Sequence, residues 1–305
     1  MRIFEDTNFQ FIPNRQKGYI FSGILLVLSI LSLSTRGLEL GIEFRGGMEF
    51  VIENVSELPV TEVRSALGQE LGTDPVVKTY GDTGILVRTT ASGETNVVQQ
   101  QIMGAFTQAF PSATPELVST NIVGPQFAED LARGALYSVF GALFVIFMYI
   151  LVRFEWRYGL GALAALVHDV TIVLGVFSIL SGFVPFSLQI DQSIIAAFLT
   201  IVGYSLNDTV VVFDRIREYA NLFKTEDFDD IVNRSINATL SRTVITSVTT
   251  LIVVSILFTF GGEVLRGFSF ALILGVIIGT YSSVFVASPT VVELRQREQA
   301  AKVRS

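Results

Sequence analysis

Asp208 and Arg242 stand where hydrocarbon is expected, and together they form an acid and a cation inside a bilayer. Asp208 follows Asn207 in Gly203–Glu218, GYSLNDTVVVFDRIRE, directly after the apolar run IIAAFLTIV. It lies six residues before Asp214, where the charged DRIRE segment marks the membrane edge. At helical rise that places it about 9 Å deep. Thr200, Tyr204, Asn207 and Asp208 are spaced i, i+4, i+7, i+8, which predicts one polar stripe turned toward other helices. Arg242, in NATLSRTVITSVTT, lies eight residues beyond Arg234 and is predicted at similar depth, beside a hydroxyl face of Thr239, Thr243, Thr246 and Thr250. The matched depths predict an Asp208–Arg242 pair across adjacent helices; the other reading has Arg242 snorkelling to the headgroups. A third polar place is His168–Asp169, 11 and 12 residues past Arg157, with His168 the only histidine in the chain. It reads either as a hydrogen-bonded packing residue or, with Asp169 beside it, as part of a proton-linked site.

Each ionisable group at a helix centre costs about 2.5–3.5 kcal/mol to insert, so such groups mark function by default. An acid and a guanidinium at one depth can act as a proton-operated switch: neutralising Asp208 frees Arg242, and the helices repack. The membrane potential supplies about 2.3 kcal/mol per charge per 100 mV. The bland alternative is a static buried pair that fixes helix register. Other chemistries lack their residues. There is no G-x-x-x-x-G-K-[ST] phosphate loop, so ATP hydrolysis by this chain is not expected. One histidine and no cysteine leave no ordinary zinc site and no thiol catalysis, and no cofactor or enzymatic activity is expected.

Half of the 305 residues are hydrophobic and 16% are charged, against about a quarter charged in soluble domains. Charge-free windows at Gly18–Thr35, Gly134–Val152, Gln192–Leu206, Thr243–Gly262 and Gly267–Val292, with Tyr158–Ile190 broken only by His-Asp, predict six membrane helices. The first, residues 18–35, is expected to be a retained anchor rather than a cleaved signal peptide, since no A-x-A site follows it. Basic residues cluster before it (Arg2, Arg15, Lys17), at Arg153 and Arg157, from Arg215 to Arg234, and in the tail at Arg295, Arg297, Lys302 and Arg304. That bias puts both termini in the cytoplasm.

The chain then divides into a lead (1–17), the first span, an exported domain (36–130), spans two to six (131–292) with a cytoplasmic loop at 214–238, and a tail (293–305). The loop reads as two short amphipathic helices on the membrane surface, with Phe223 and Phe228 flanking the turn KTED. The exported domain carries 13 acidic against five basic residues, which argues against nucleic-acid binding. GIEFRGGMEFVIE reads as a strand with a glycine break, TEVRSALGQELG as a helix, VVKTY and ILVRTT as a hairpin around GDTG, ETNVVQQQIMGAFTQAF as a helix and ELVSTNIVG as a strand. That order, βαββαβ, is ferredoxin-like α+β, a fold that does not choose a function. Gly275 and Gly279 form a G-x-x-x-G on the sixth span.

GIEFRGGMEF after the first span, HD in the third, GYSLNDTVVVFDRIRE on the fourth and NATLSRTVITSVTT entering the fifth together resemble the SecF family, in the bacterial Sec protein-export machinery. FRGG alone is shared with the sister SecD family, and both belong to the resistance-nodulation-division superfamily. The resemblance implies an accessory subunit that pairs with SecD, associates with the SecYEG channel and YajC, and uses the proton-motive force to drive late preprotein translocation across the cytoplasmic membrane. It carries the family's functional Asp and Arg onto Asp208 and Arg242, with Asn207, His168 and Asp169 as further candidates. Half of a small-molecule exporter and a non-transporting assembly subunit remain as alternatives.

Overall fold

The structure is a computed structural model that describes residues 7–55, 58–81, 83–90, 93–184 and 186–304. The chain forms two compact units: one of Met1–Leu38, Val139–Ile179 and Ile194–Ser305, the other of Glu39–Ser138 and Leu180–Ser193. Among the described residues six helical segments are long and apolar enough to cross a bilayer. They are α1 (Arg15–Thr35), α5 (Pro125–Arg153), α6 (Trp156–Leu180), α7 (Gln192–Leu222), α8 (Phe228–Phe260) and a sixth built of three pieces. In that sixth span α9 (Glu263–Ser282) passes through a π-helical turn, Ser283–Ala287, into α10 (Ser288–Arg304).

The bundle exposes apolar side chains and buries small polar ones beside its apolar core. On α1 the buried residues include Ser22, Ser29 and Ser32, whereas Ile20, Phe21, Ile24, Val27, Leu28, Ile30 and Leu31 are exposed. Hydrocarbon offers leucine as good a home as a protein core does, so small polar residues are what hold such helices together. Ser32 Oγ bonds Ser178 Oγ of α6 at 2.8 Å, and a methyl group at Gly175 would overlap Ser29.

The loop at 214–238 contains no pair of short surface helices. Instead α7 continues to Leu222 and α8 begins at Phe228. The cause is continuous burial: Val212, Phe213 and Ile216 on α7, and Phe228, Val232 and Ile236 on α8, share one apolar cluster with Ile12, Val291 and Val292. No glycine or proline interrupts Phe213–Ile236, so the helices run on into that cluster. The N-terminal lead joins the same cluster. Asn233 Oδ1 accepts the amides of Phe11 (2.8 Å) and Ile12 (3.2 Å), and Asn237 Oδ1 that of Phe9 (2.9 Å). Arg15 pairs with Asp229 and Glu293.

The second unit has the expected βαββαβ order: β1 (Gly47–Glu53), α3 (Val60–Leu71), β2 (Val76–Tyr80), β3 (Gly84–Thr89), α4 (Thr95–Ala109) and β4 (Glu116–Val123). The sheet order is β2-β3-β1-β4, with every pairing antiparallel. Phe50, Ile52, Val77, Ile85 and Val87 of the sheet pack with Val63 and Leu67 of α3 and Val98, Ile102 and Phe106 of α4. Asp82 of the hairpin turn lies outside the described residues.

One stretch differs from expectation. The first half of GIEFRGGMEFVIE is a single helical turn, α2 (Ile42–Arg45), and the strand starts only at Gly47. Gly46 at φ 72° and Gly47 at φ 120° turn the chain between them, in a region that side chains disfavour. A Cβ at Gly47 would also lie 2.8 Å from the Thr89 carbonyl oxygen.

The segment joining α6 to α7 is anchored inside this unit. Gly41 N–H donates to Ile190 O (2.8 Å) and Ile190 N–H to Glu39 O (2.7 Å). Arg88, 7% exposed, donates to Glu49 Oε2 (2.6 Å), Gln189 Oε1 (2.5 Å) and Leu40 O (3.1 Å).

Candidate functional site

Among the described residues two buried carboxylates stand in the bundle, each held by hydroxyls from other helices. Asp208 of α7 is 7% exposed. Thr243 Oγ1 of α8 donates to its Oδ1 at 2.6 Å, and Ser283 Oγ of the π-turn to its Oδ2 at 2.9 Å. Nearby, Tyr204 donates to Ser247 (3.4 Å), whose Oγ bonds Thr280 Oγ1 (2.7 Å).

Asp169 of α6 is 1% exposed and His168 3%. His168 Nδ1 lies 2.8 Å from Asp169 Oδ1. Asp169 Oδ2 accepts Ser205 Oγ of α7 (2.6 Å) and Ser282 Oγ of α9 (2.8 Å). His168 Nε2 is 3.0 Å from Ser22 Oγ of α1, and Ser22 Oγ is 3.0 Å from Tyr281 Oη. Five of the six spans therefore converge on these carboxylates.

Consecutive serines on one helix thus serve two different acids: Ser282 holds Asp169 and Ser283 holds Asp208. Consecutive residues point about 100° apart, which lets the two serines diverge, and a π-turn begins at Ser283. Such turns are rare and recur at functional sites. Gly275 and Gly279 bring α9 close enough to reach. A methyl at Gly275 would overlap Ile201, and one at Gly279 would lie 2.9 Å from Ser205 Cβ.

The predicted ion pair is not formed. Among the described residues no contact within ion-pair distance joins Asp208 to Arg242; Arg242 is exposed, and its charge reaches Asp208 only at longer range. The reason is helical phase. Consecutive residues point about 100° apart, and the inward position belongs to Thr243, so Arg242 turns out. The predicted stripe of α7 is corrected likewise. Thr200 and Asn207 are exposed, and the inward polar residues are Ser205, Asp208 and Thr209. On α8 the inward face is Thr239, Thr243 and Ser247. Thr246 and Thr250 satisfy their hydroxyls on their own helix carbonyls.

His168 and Asp169 are brought together with each other and, through the serine pair, beside Asp208. Sequence reasoning missed Ser22, Ser205, Tyr281, Ser282 and Ser283. The signal for the last two was Pro289, a helix-disrupting residue six positions on. Among the described residues no cluster of three or more His, Cys, Asp or Glu has the makings of a metal site.

Comparison with known proteins agrees with this arrangement of spans. Residues 103–297 match the family described as protein export membrane protein SecD/SecF, C-terminal, and residues 31–53 match the SecD/SecF GG motif. The chain is 66% identical over 302 residues to protein translocase subunit SecF of Rhodothermus marinus, covering 99% of this chain and 98% of that one. It is 40% identical to the SecF of Haemophilus influenzae, over 91% of this chain and 83% of the relative. Among solved structures it is similar to SecDF, a translocon-associated membrane protein from Thermus thermophilus, at TM-score 0.87 and 33% identity. That match covers 97% of this chain and 40% of the solved one. The chain belongs to the SecD/SecF family of protein-export membrane proteins, and within it to the SecF translocase subunits.

Proposed function

We propose that this chain is the SecF partner of SecD in a multi-pass complex of the bacterial cytoplasmic membrane, with both termini cytoplasmic. It uses the proton-motive force to drive the late stage of preprotein translocation through SecYEG, with YajC associated. The ferredoxin-like unit meets the preprotein or a partner on the outer face. The chain performs no hydrolytic chemistry of its own.

The observation that carries this reading is Asp208, buried and held by hydroxyls from α8 and from the sixth span. An ionised carboxylate grips both hydroxyls; each bond to a charged acceptor is worth about 1.5–3 kcal/mol. Protonation weakens both grips and releases α7 from its two neighbours. One proton falling through 100 mV supplies about 2.3 kcal/mol, comparable with one such bond, so the driving force matches the latch. Arg242, exposed on α8, is free to respond to the charge of Asp208 or to a partner's groups.

Asp208→Asn keeps the shape and an acceptor oxygen but removes the titration. In membranes containing SecD and SecYEG, the variant is expected to assemble normally while proton flux and gradient-driven export fall at least tenfold. Export and flux at the wild-type rate would defeat the reading.

A further inference from the structure

Beside Asp208 lies a network whose hydrogen atoms can be counted one by one. Tyr281 Oη is 2.8 Å from the carbonyl oxygen of Gly18, an atom that can only accept. The single phenolic hydrogen is therefore used there. Ser22 Oγ, 3.0 Å from Tyr281 Oη, must then donate its own hydrogen to the phenol oxygen. That leaves Ser22 Oγ as acceptor toward His168 Nε2 at 3.0 Å, so Nε2 carries a hydrogen. At the other side of the ring, Nδ1 is 2.8 Å from Asp169 Oδ1. A neutral imidazole protonated at Nε2 presents a bare lone pair at Nδ1, and an ionised carboxylate presents lone pairs only. Two acceptors do not approach to that distance without a hydrogen between them.

We propose that His168 and Asp169 hold one shared proton and form a second proton-binding site, with Tyr281 and Ser22 fixing the direction of its hydrogen bonds. Imidazolium with carboxylate and imidazole with carboxylic acid are its two forms, and both are neutral overall. Neutrality suits a pair 3% and 1% exposed, because an uncompensated charge is strongly disfavoured away from water. Asp169 Oδ2 is satisfied by Ser205 and Ser282, so the proton belongs on the Oδ1 side.

The groups facing the pair are Ser22 from α1, Ser205 from α7, and Tyr281 and Ser282 from α9. Among these only the phenol of Tyr281 titrates. The neighbouring acid, Asp208, is reached through the next residue, Ser283. Each serine has a second acceptor on its own helix, Gly279 O at 3.2 Å for Ser282 and Thr280 O at 3.0 Å for Ser283. Either serine can therefore release its acid and bond its own helix without moving the backbone. The hydrogen count stands whether or not Asp208 drives export.

His168 is the only histidine, so ¹⁵N-histidine labelling of the full chain in lipid bilayers gives one imidazole. Nitrogen NMR at neutral pH is expected to show Nε2 protonated, with Nδ1 either protonated or hydrogen-bonded to a carboxylic acid. In the second case an infrared carbonyl band is expected that Asp169→Asn removes. Tyr281→Phe keeps the ring stacked on Phe285 (5.0 Å) but frees Ser22 to donate to Nε2. In that variant Nε2 is no longer obliged to carry a hydrogen, and the imidazole nitrogen shifts are expected to differ from the wild type. A wild-type ring with bare Nε2, a bare Nδ1 facing an ionised Asp169, or an Asp169→Asn spectrum that retains the carboxylic acid band would each overturn the proposal. So would a Tyr281→Phe spectrum identical to the wild type. None of these readouts needs export or an ion gradient, so a failure of the proton-driven reading leaves them intact.

Discussion

Gly275→Ala adds one methyl group where α9 crosses α7, and two opposing terms decide its effect. Alanine is favoured over glycine in a helix interior by about 1 kcal/mol. Against this, the new carbon would lie 2.6 Å from Cδ1 and 2.7 Å from Cγ2 of Ile201, and closer still to Cγ1. Ile201 is 1% exposed and β-branched, so its χ1 has little freedom to swing aside. Overpacking of this kind costs about 1–3 kcal/mol, which outweighs the propensity gain. The expected net change is a loss of roughly 1 kcal/mol, the difference of those two ranges. Ile201→Ala removes all three overlapping carbons and alone costs about 2–5 kcal/mol. Combined, the two alanines should fit each other, giving a favourable coupling of about 0.5–3 kcal/mol. The assay is a double-mutant cycle on the full chain, unfolded by SDS in mixed micelles. If Gly275→Ala alone stabilises by the full propensity gain and the two changes simply add, the helices do not meet here. The serines of the sixth span would then have no reason to reach their carboxylates.

Arg88→Met leaves the partly buried Glu49 without its cation, a change worth up to about 3 kcal/mol against the α/β unit, the low end for a buried pair. Limited proteolysis should cut β1 to β3 faster, and an unchanged rate would mean that the pair is not buried. Asn233→Ala with Asn237→Ala removes the bonds to the N-terminal lead, each worth about 0.5–1.5 kcal/mol. Amide exchange at Phe9, Phe11 and Ile12 should speed up while α6 exchange stays the same. Burial, opposed by a backbone hydrogen bond and reinforced by Asp191 and Glu49, holds the Glu43 carboxyl above the usual carboxylate value. Its folded form then binds a proton more readily than its unfolded form. Stability is therefore lost as pH rises from the ordinary carboxylate value through the folded one, and is fully present below both. Glu43→Gln should flatten that part of the Tm–pH profile, and an unaltered slope would exclude Glu43 as its source.

The spans and the α/β unit were legible because each rests on a pattern many residues long. An 18-residue charge-free window or a period-two strand survives local ambiguity. The site was legible only in its costly members. Asp208, His168 and Asp169 announce themselves because charge at membrane depth is rare. Hydroxyls do not. Thr249 and Ser205 look alike in sequence, yet Thr249 bonds its own Ile245 carbonyl, whereas Ser205 crosses to Asp169. A serine or threonine can always fall back on its own helix, so its type says nothing about its direction. Arg242 failed for a related reason: its stretch of α8 is level with Asp208, which Thr243 reaches, but phase was set by Thr243, one residue on.

Phase also explains the sixth span. Pro289 has no N–H to give to the carbonyl of Phe285, four residues before it, and in a regular α-helix its ring would clash with that oxygen. The turn just before it widens into the π-helix at Ser283–Ala287, and Ser288 Oγ takes up the Ser283 carbonyl at 2.8 Å. One inserted residue shifts the helix face by about 100°. Upstream of the turn Gly275, Gly279 and Ser282 face α7 and the carboxylates. From its last residue onward, Ala287, Val291 and Val292 face the apolar cluster around Phe213. A regular helix would have to give one of these faces to the other's partner. The proline, an imperfection by helix propensity, is thus what lets a single span line a polar site at one depth and seal a greasy core at the next.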